Sequence, residues 1–144
     1  MKSKILVFLQ FFIIFLMLLL AIDTPTHYLV SGVVITLLGI IIGIIAIKTH
    51  EKGNFNIRPD IKEHCTLVTH GIYAYVRHPM YLSVLTMMFG VMLIYLNIYE
   101  IVLYILLVVV MLTKLFYEES LWECHSAEYE RYKSNTKRLI PFIF

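Results

Sequence analysis

Charge is scarce in this chain. Acidic and basic side chains make up 15% of its 144 residues, against about 25% in an ordinary soluble domain. Together with 60% hydrophobic residues, that deficit excludes a fold that needs polar cover on all sides. The formal net charge of +2 leaves no basic face for nucleic acid. Cysteine is nearly absent: Cys65 and Cys124 stand alone, without the CxxC spacing of a zinc site or a disulfide framework. Neither His70 nor His125 has a second histidine at ligand spacing, so no metal is expected. Lysine and arginine are missing altogether from two short connections, 23–27 and 97–100.

Hydrocarbon is what the chain has in excess. Four apolar runs cover 5–22, 28–47, 80–96 and 101–117. At 1.5 Å per residue, each is long enough for a hydrocarbon core about 30 Å thick. The expected fold class is therefore an all-α integral membrane protein with four transmembrane helices and a single domain over 1–144. All twelve Lys and Arg residues fall at the start, between the second and third runs, or in and after the fourth. The positive-inside rule then places both termini and the loop 48–79 in the cytoplasm. Lys2 and Lys4 resemble a signal-peptide n-region, but the first run is too long for an h-region and no small-x-small site follows it.

Spans one and two are expected to form a scaffold hairpin. Gly32, Thr36, Gly39 and Gly43 share one helix face that lets a neighbouring backbone approach. In the loop, Gly53, Asn54, Asn56 and Pro59 favour turns over helix. Pro79 suits a first helical position and pushes His78 out of the α region. Arg77-His78 thus reads as an irregular entry to span three, beside free N–H groups that receive an anion. In the tail 118–144, Leu121, Trp122, His125, Tyr129 and Tyr132 follow three-and-four spacing, which predicts an amphipathic interfacial helix. Residues 139–144 are too apolar for a free tail and are expected to fold back.

Polar groups concentrate at two places, 65–81 and 118–138. Such groups next to hydrocarbon are costly and usually serve a site. Each has a plainer reading beside the functional one. Arg77 and His78 also suit headgroup contacts, Lys114 can snorkel to the surface, and single tyrosines are ordinary interfacial aromatics. Glu118-Glu119 ends a span where negative charge opposes the helix dipole, which calls for a cationic partner such as Arg77, Lys114 or a bound cation.

The order and spacing of these residues carry more than any one of them. Leu67-Val68-Thr69-x-Gly71-x-Tyr73-x-x-x-Arg77-His78-Pro79-x-Tyr81 resembles the signature of the isoprenylcysteine carboxyl methyltransferase family and its phospholipid-methyltransferase relatives. Glu118-Glu119, Tyr129-x-x-Tyr132 and Arg138-Leu139-Ile140-Pro141 are similar to that family's C-terminal half. The resemblance implies S-adenosylmethionine as methyl donor and a lipid-like or prenylated acceptor at the membrane. It implies cofactor contacts at Arg58, Cys65, Thr66, Leu67, Val68, Tyr73, His78, Pro79, Met80, Tyr81, Glu118 and Glu119. Arg77, Lys114 and Arg138 become candidate catalytic residues, Lys114 standing where relatives place a substrate-binding arginine. Tyrosine faces suit a sulfonium cation and a carboxylate suits its amino group. No general base stands out, which favours carboxyl O-methylation over N-methylation of a phospholipid. The rival from another class is a small four-helix multidrug-type transporter, which calls for an acidic residue within a span. The spans hold none.

Overall fold

The computed structural model describes residues 2–22, 24–49, 67–125, 127–141 and 143–144, with only the backbone of His125 and Ala127. Among the described residues five α-helices follow one another: α1 (Lys2–Ala21), α2 (Leu29–Thr49), α3 (Pro79–Ile94), α4 (Ile98–His125) and α5 (Ala127–Asn135). A 3₁₀ turn (Gly71–Ala74) precedes α3. No strand occurs among the described residues. The chain's arginine-free, apolar runs have become α1, α2 and the greater part of α4, and these three helices are long and apolar enough to cross a membrane. Helix α3 is equally apolar but has 16 residues, about 24 Å of rise. The loop expected to be irregular and rich in turns lies mostly outside the described residues.

Two helix pairs make the body. Helix α2 packs along α3 through its small residues, as their shared face predicts. A Cβ on Gly39 would stand 2.5 Å from the Met87 backbone nitrogen, and one on Gly90 would run into the Gly32 carbonyl and Thr36. The Ser83 hydroxyl donates to the Gly39 carbonyl at 2.7 Å across the same seam. Helix α1 packs instead on α4. The expected hairpin of spans one and two therefore parts company after its turn. Its glycine face is matched by Gly90 and Ser83 on α3, whereas α1 offers bulky Phe and Leu side chains. A core of Ile13 and Met17 from α1, Leu85, Met88 and Met92 from α3, and Leu107, Met111 and Leu115 from α4 joins the pairs.

Helix α4 begins where Asn97 caps it, its Oδ1 accepting from the N–H groups of Tyr99 (2.8 Å) and Glu100 (3.1 Å). It continues to His125, past the predicted end at 117. Leu121 and Trp122 accordingly belong to α4 and not to a separate interfacial helix. The physical reason is that polarity, not a helix breaker, ends the apolar run: Glu, Leu and Trp continue a helix well. The tail helix is the shorter α5, whose Tyr129 and Tyr132 are buried rather than spread on an interface. Leu139 folds back into the core as expected, while Ile143 remains exposed.

Candidate active site

Gly71 takes a φ of +60°, open to glycine at little cost, and turns the chain into the 3₁₀ segment. His78 then adopts φ −124° and ψ 57°, outside the α region as its following proline requires, and Pro79 opens α3. The His78 carbonyl accepts from the N–H groups of both Tyr81 and Leu82 at 3.1 Å. Among the described residues, the free N–H groups expected at this helix end thus reduce to Met80, since Pro79 has none.

The tail comes back to this entry. Val76 and Lys137 form a parallel bridge. The Arg77 N–H donates to the Lys137 carbonyl at 2.7 Å, and the His78 N–H to the Arg138 carbonyl at 3.0 Å. The Arg77 side chain is buried and closes the arrangement. Its Nε donates to Glu119 Oε1 at 2.8 Å, and its Nη1 to the carbonyls of Lys133 (3.1 Å) and Thr136 (2.5 Å). Arg138 Nε reaches the other Glu119 oxygen at 2.9 Å, and His78 Nε2 lies 3.4 Å from Oε1. Glu119 thus answers the demand for cationic partners at the end of a span. The Tyr132 hydroxyl donates to the Tyr73 carbonyl at 2.7 Å. Burial is the chief cause that pushes the hydroxyls of Tyr73, Tyr129 and Tyr132 up from the ordinary tyrosine value. All three remain neutral and are not phenolate bases.

Glu118 sits differently. Its side chain is 27% exposed, and its Oε2 accepts from the Tyr81 hydroxyl at 2.5 Å. The His78 ring stacks on Tyr81 with centroids 5.2 Å apart and planes 5° from parallel. On Tyr81 also rests Lys114, its Nζ 5.1 Å from the ring centroid. Lys114 is 2% exposed and donates to Gln10 Oε1 of α1 at 2.9 Å. It does not snorkel.

Of the residues the sequence pointed to, Arg77, His78, Tyr81, Lys114, Glu118, Glu119 and Arg138 come together in one connected cluster. Val68 and Tyr73 are buried with Ala46, and Met80 packs against them. Leu67 lines a neighbouring cavity of about 410 Å³ with Thr69, Ala74 and α5 residues including Arg131 and Tyr132. Arg58, Cys65 and Thr66 lie outside the described residues. Two participants were missed. Thr136 serves through its carbonyl, which carries no side-chain signal. Gln10 did have one, as the single polar side chain in the run 5–22.

The donor set fits S-adenosylmethionine. Glu118 offers a carboxylate for an amino group, and the faces of Tyr81 and His78 suit a sulfonium. The Met80 N–H suits a carboxylate, while His78 Nε2 faces Glu119 Oε1 at 3.4 Å. The phospholipid methyltransferase family model matches residues 27–125, from before α2 to the end of α4. No curated protein matches the chain. The match agrees with the resemblance carried by 67–81 and leaves the transporter reading without support. With three helices able to cross a membrane, and with well over half of its length matched, the chain belongs to the phospholipid methyltransferase family and is an integral membrane methyltransferase.

Proposed function

We propose that the protein transfers a methyl group from S-adenosylmethionine to the carboxylate of a lipid-like or prenylated acid at the cytoplasmic membrane face. On this reading α3 crosses the membrane as a fourth span, and both termini lie in the cytoplasm. The observation that carries the reading is the division of labour between adjacent glutamates. Glu119 is neutralised by Arg77 and Arg138, while Glu118 stays partly open with Tyr81 and His78 around it.

Bound S-adenosylmethionine supplies an electrophilic methyl group. Glu118 would hold its amino group, Tyr81 and His78 would lie near the cation, and Leu67, Val68, Tyr73, Pro79 and Met80 would shape the adjoining wall. Arg58, Cys65 and Thr66 are assigned to the cofactor by family likeness. Lys114, its Nζ 5.1 Å from the Tyr81 ring centroid, draws the acidic group of the acceptor towards that ring. Arg77 and Arg138 act as positioning residues that keep the tail closed over the site and exclude water. A carboxylate nucleophile arrives already deprotonated, so alignment and desolvation supply most of the acceleration. A second reading, N-methylation of a phospholipid headgroup, is favoured by the family match; the acceptor ammonium would then first have to lose a proton to a base.

Calorimetric titration of S-adenosylmethionine into the detergent-purified protein tests the cofactor half. Saturable binding is expected, weakened roughly tenfold by Glu118→Gln, the usual effect of losing one charge-assisted hydrogen bond. No binding by a folded wild type sinks the proposal. Labelled methyl transfer then separates the acceptors. A base-labile product from a prenylcysteine probe supports the ester, and a base-stable product from phosphatidylethanolamine vesicles supports N-methylation.

A further inference from the structure

Helix α1 precedes the family match, which starts at residue 27, yet it reaches the site through one side chain. Its buried face is Ser3, Gln10, Ile13, Met17 and Ala21. That stripe meets α4, and at its polar position Gln10 Oε1 accepts from Lys114 Nζ at 2.9 Å. Both side chains are buried. A glutamine in hydrocarbon is expensive unless it is bonded.

The ammonium it holds is itself unusual. No carboxylate lies within ion-pair distance of Lys114 among the described residues; the nearby ion pairs use Arg77, His78 and Arg138. An ammonium has three donors. One goes to Gln10, and the Tyr81 ring covers another side. A buried cation with no ion-pair partner among the described residues, Glu118 acting on it only at longer range, is a standing demand for an anion. Lysine is a point charge on a flexible stem, so something must aim it. Among the described residues Gln10 is the one hydrogen-bonded anchor that does so.

We propose that Gln10 is a positioning residue that aims Lys114 at the acidic group of the acceptor, a role that rests on the reading of Lys114 given above. The recognised chemistry is a carboxylate or phosphate at the end of a hydrocarbon chain. The glutamine is suited to this because it is neutral: it fixes the ammonium without cancelling its charge. A glutamate there would fit the same space, pair with Lys114 and remove the attraction for the acceptor.

The test is calorimetric binding of two single-chain probes, oleate and dodecyl phosphate, to the full chain in a neutral detergent. Wild type, Gln10→Leu, Gln10→Glu and Lys114→Met are compared, with S-adenosylmethionine affinity measured for each as a control for folding. Wild type is expected to bind at least one probe, and which one it prefers tells carboxylate from phosphate. Gln10→Leu is expected to bind several-fold more weakly, and Gln10→Glu and Lys114→Met roughly tenfold or more, as for a lost charge-assisted contact. Cofactor affinity stays unchanged in the Gln10 variants. A merely structural glutamine predicts the reverse order, since glutamate would strengthen the link between α1 and α4. Wild-type probe binding in both Gln10 variants, with loss in Lys114→Met, overturns the role of Gln10 and leaves that of Lys114 standing. No probe binding by wild type, or full binding by Lys114→Met, overturns both.

Discussion

Glu118 and Glu119 are neighbours on one helix, and exposure together with partners separates them. Glu119 has both oxygens engaged by buried or half-buried guanidinium groups, and Arg77 in turn holds two tail carbonyls. Removing one partner of such a buried pair leaves the other charge uncompensated. Arg77→Met and Glu119→Gln are each expected to cost about 3–5 kcal/mol in unfolding free energy, read by denaturant melts in detergent. Glu118→Gln removes a partly exposed charge that has Tyr81 as its hydrogen-bonding neighbour. It is expected to change stability by less than about 1 kcal/mol, while its cofactor affinity falls. Equal losses from the two glutamine variants would refute this division. The sequence marks both carboxylates as a pair needing a cation, but it cannot rank them. Ranking depends on Thr136 and Lys133 returning to Arg77, a contact made across more than fifty residues through backbone atoms.

At the scale of helices, hydropathy was a good guide to where each element lies and a poor one to where it stops. The runs at 5–22 and 28–47 match α1 and α2 within a few residues. The run at 101–117 ends where polarity begins, yet α4 continues to His125 because a helix needs backbone bonding, not apolar side chains. Pairing was half legible. The small residues of α2 announce a close neighbour without saying which helix it is. Gly39 faces the Met87 backbone so tightly that Gly39→Ala must push α3 away. The expected cost is about 1–3 kcal/mol in the same melts. The Lys133–Glu123 ion pair between α5 and the end of α4 is exposed. Glu123→Ala should therefore cost less than about 1 kcal/mol, and less still at high salt.

Across the whole molecule, the site is assembled from parts far apart in sequence. Gln10 comes from α1, Arg77 and His78 from the entry to α3, the glutamates from α4 and Arg138 from beyond α5. Family membership and membrane character were legible because short motifs and apolar runs are local properties. The link from α1 to Lys114 was not, since one glutamine in a run of leucine and phenylalanine names no partner.

One consequence follows from α4 being unbroken between its Asn97 cap and Glu118. A single rigid rod fixes the height of the carboxylate above the opposite end at about 32 Å, close to the thickness of the hydrocarbon layer. Lys114 sits one turn lower on the same rod. The helix is thus a gauge for the bilayer. In thicker membranes headgroups ride above Glu118, and in thinner ones they sink past it. Methyl transfer measured in vesicles of graded acyl-chain length should pass through a maximum, and a flat profile would mean that tilt absorbs the mismatch.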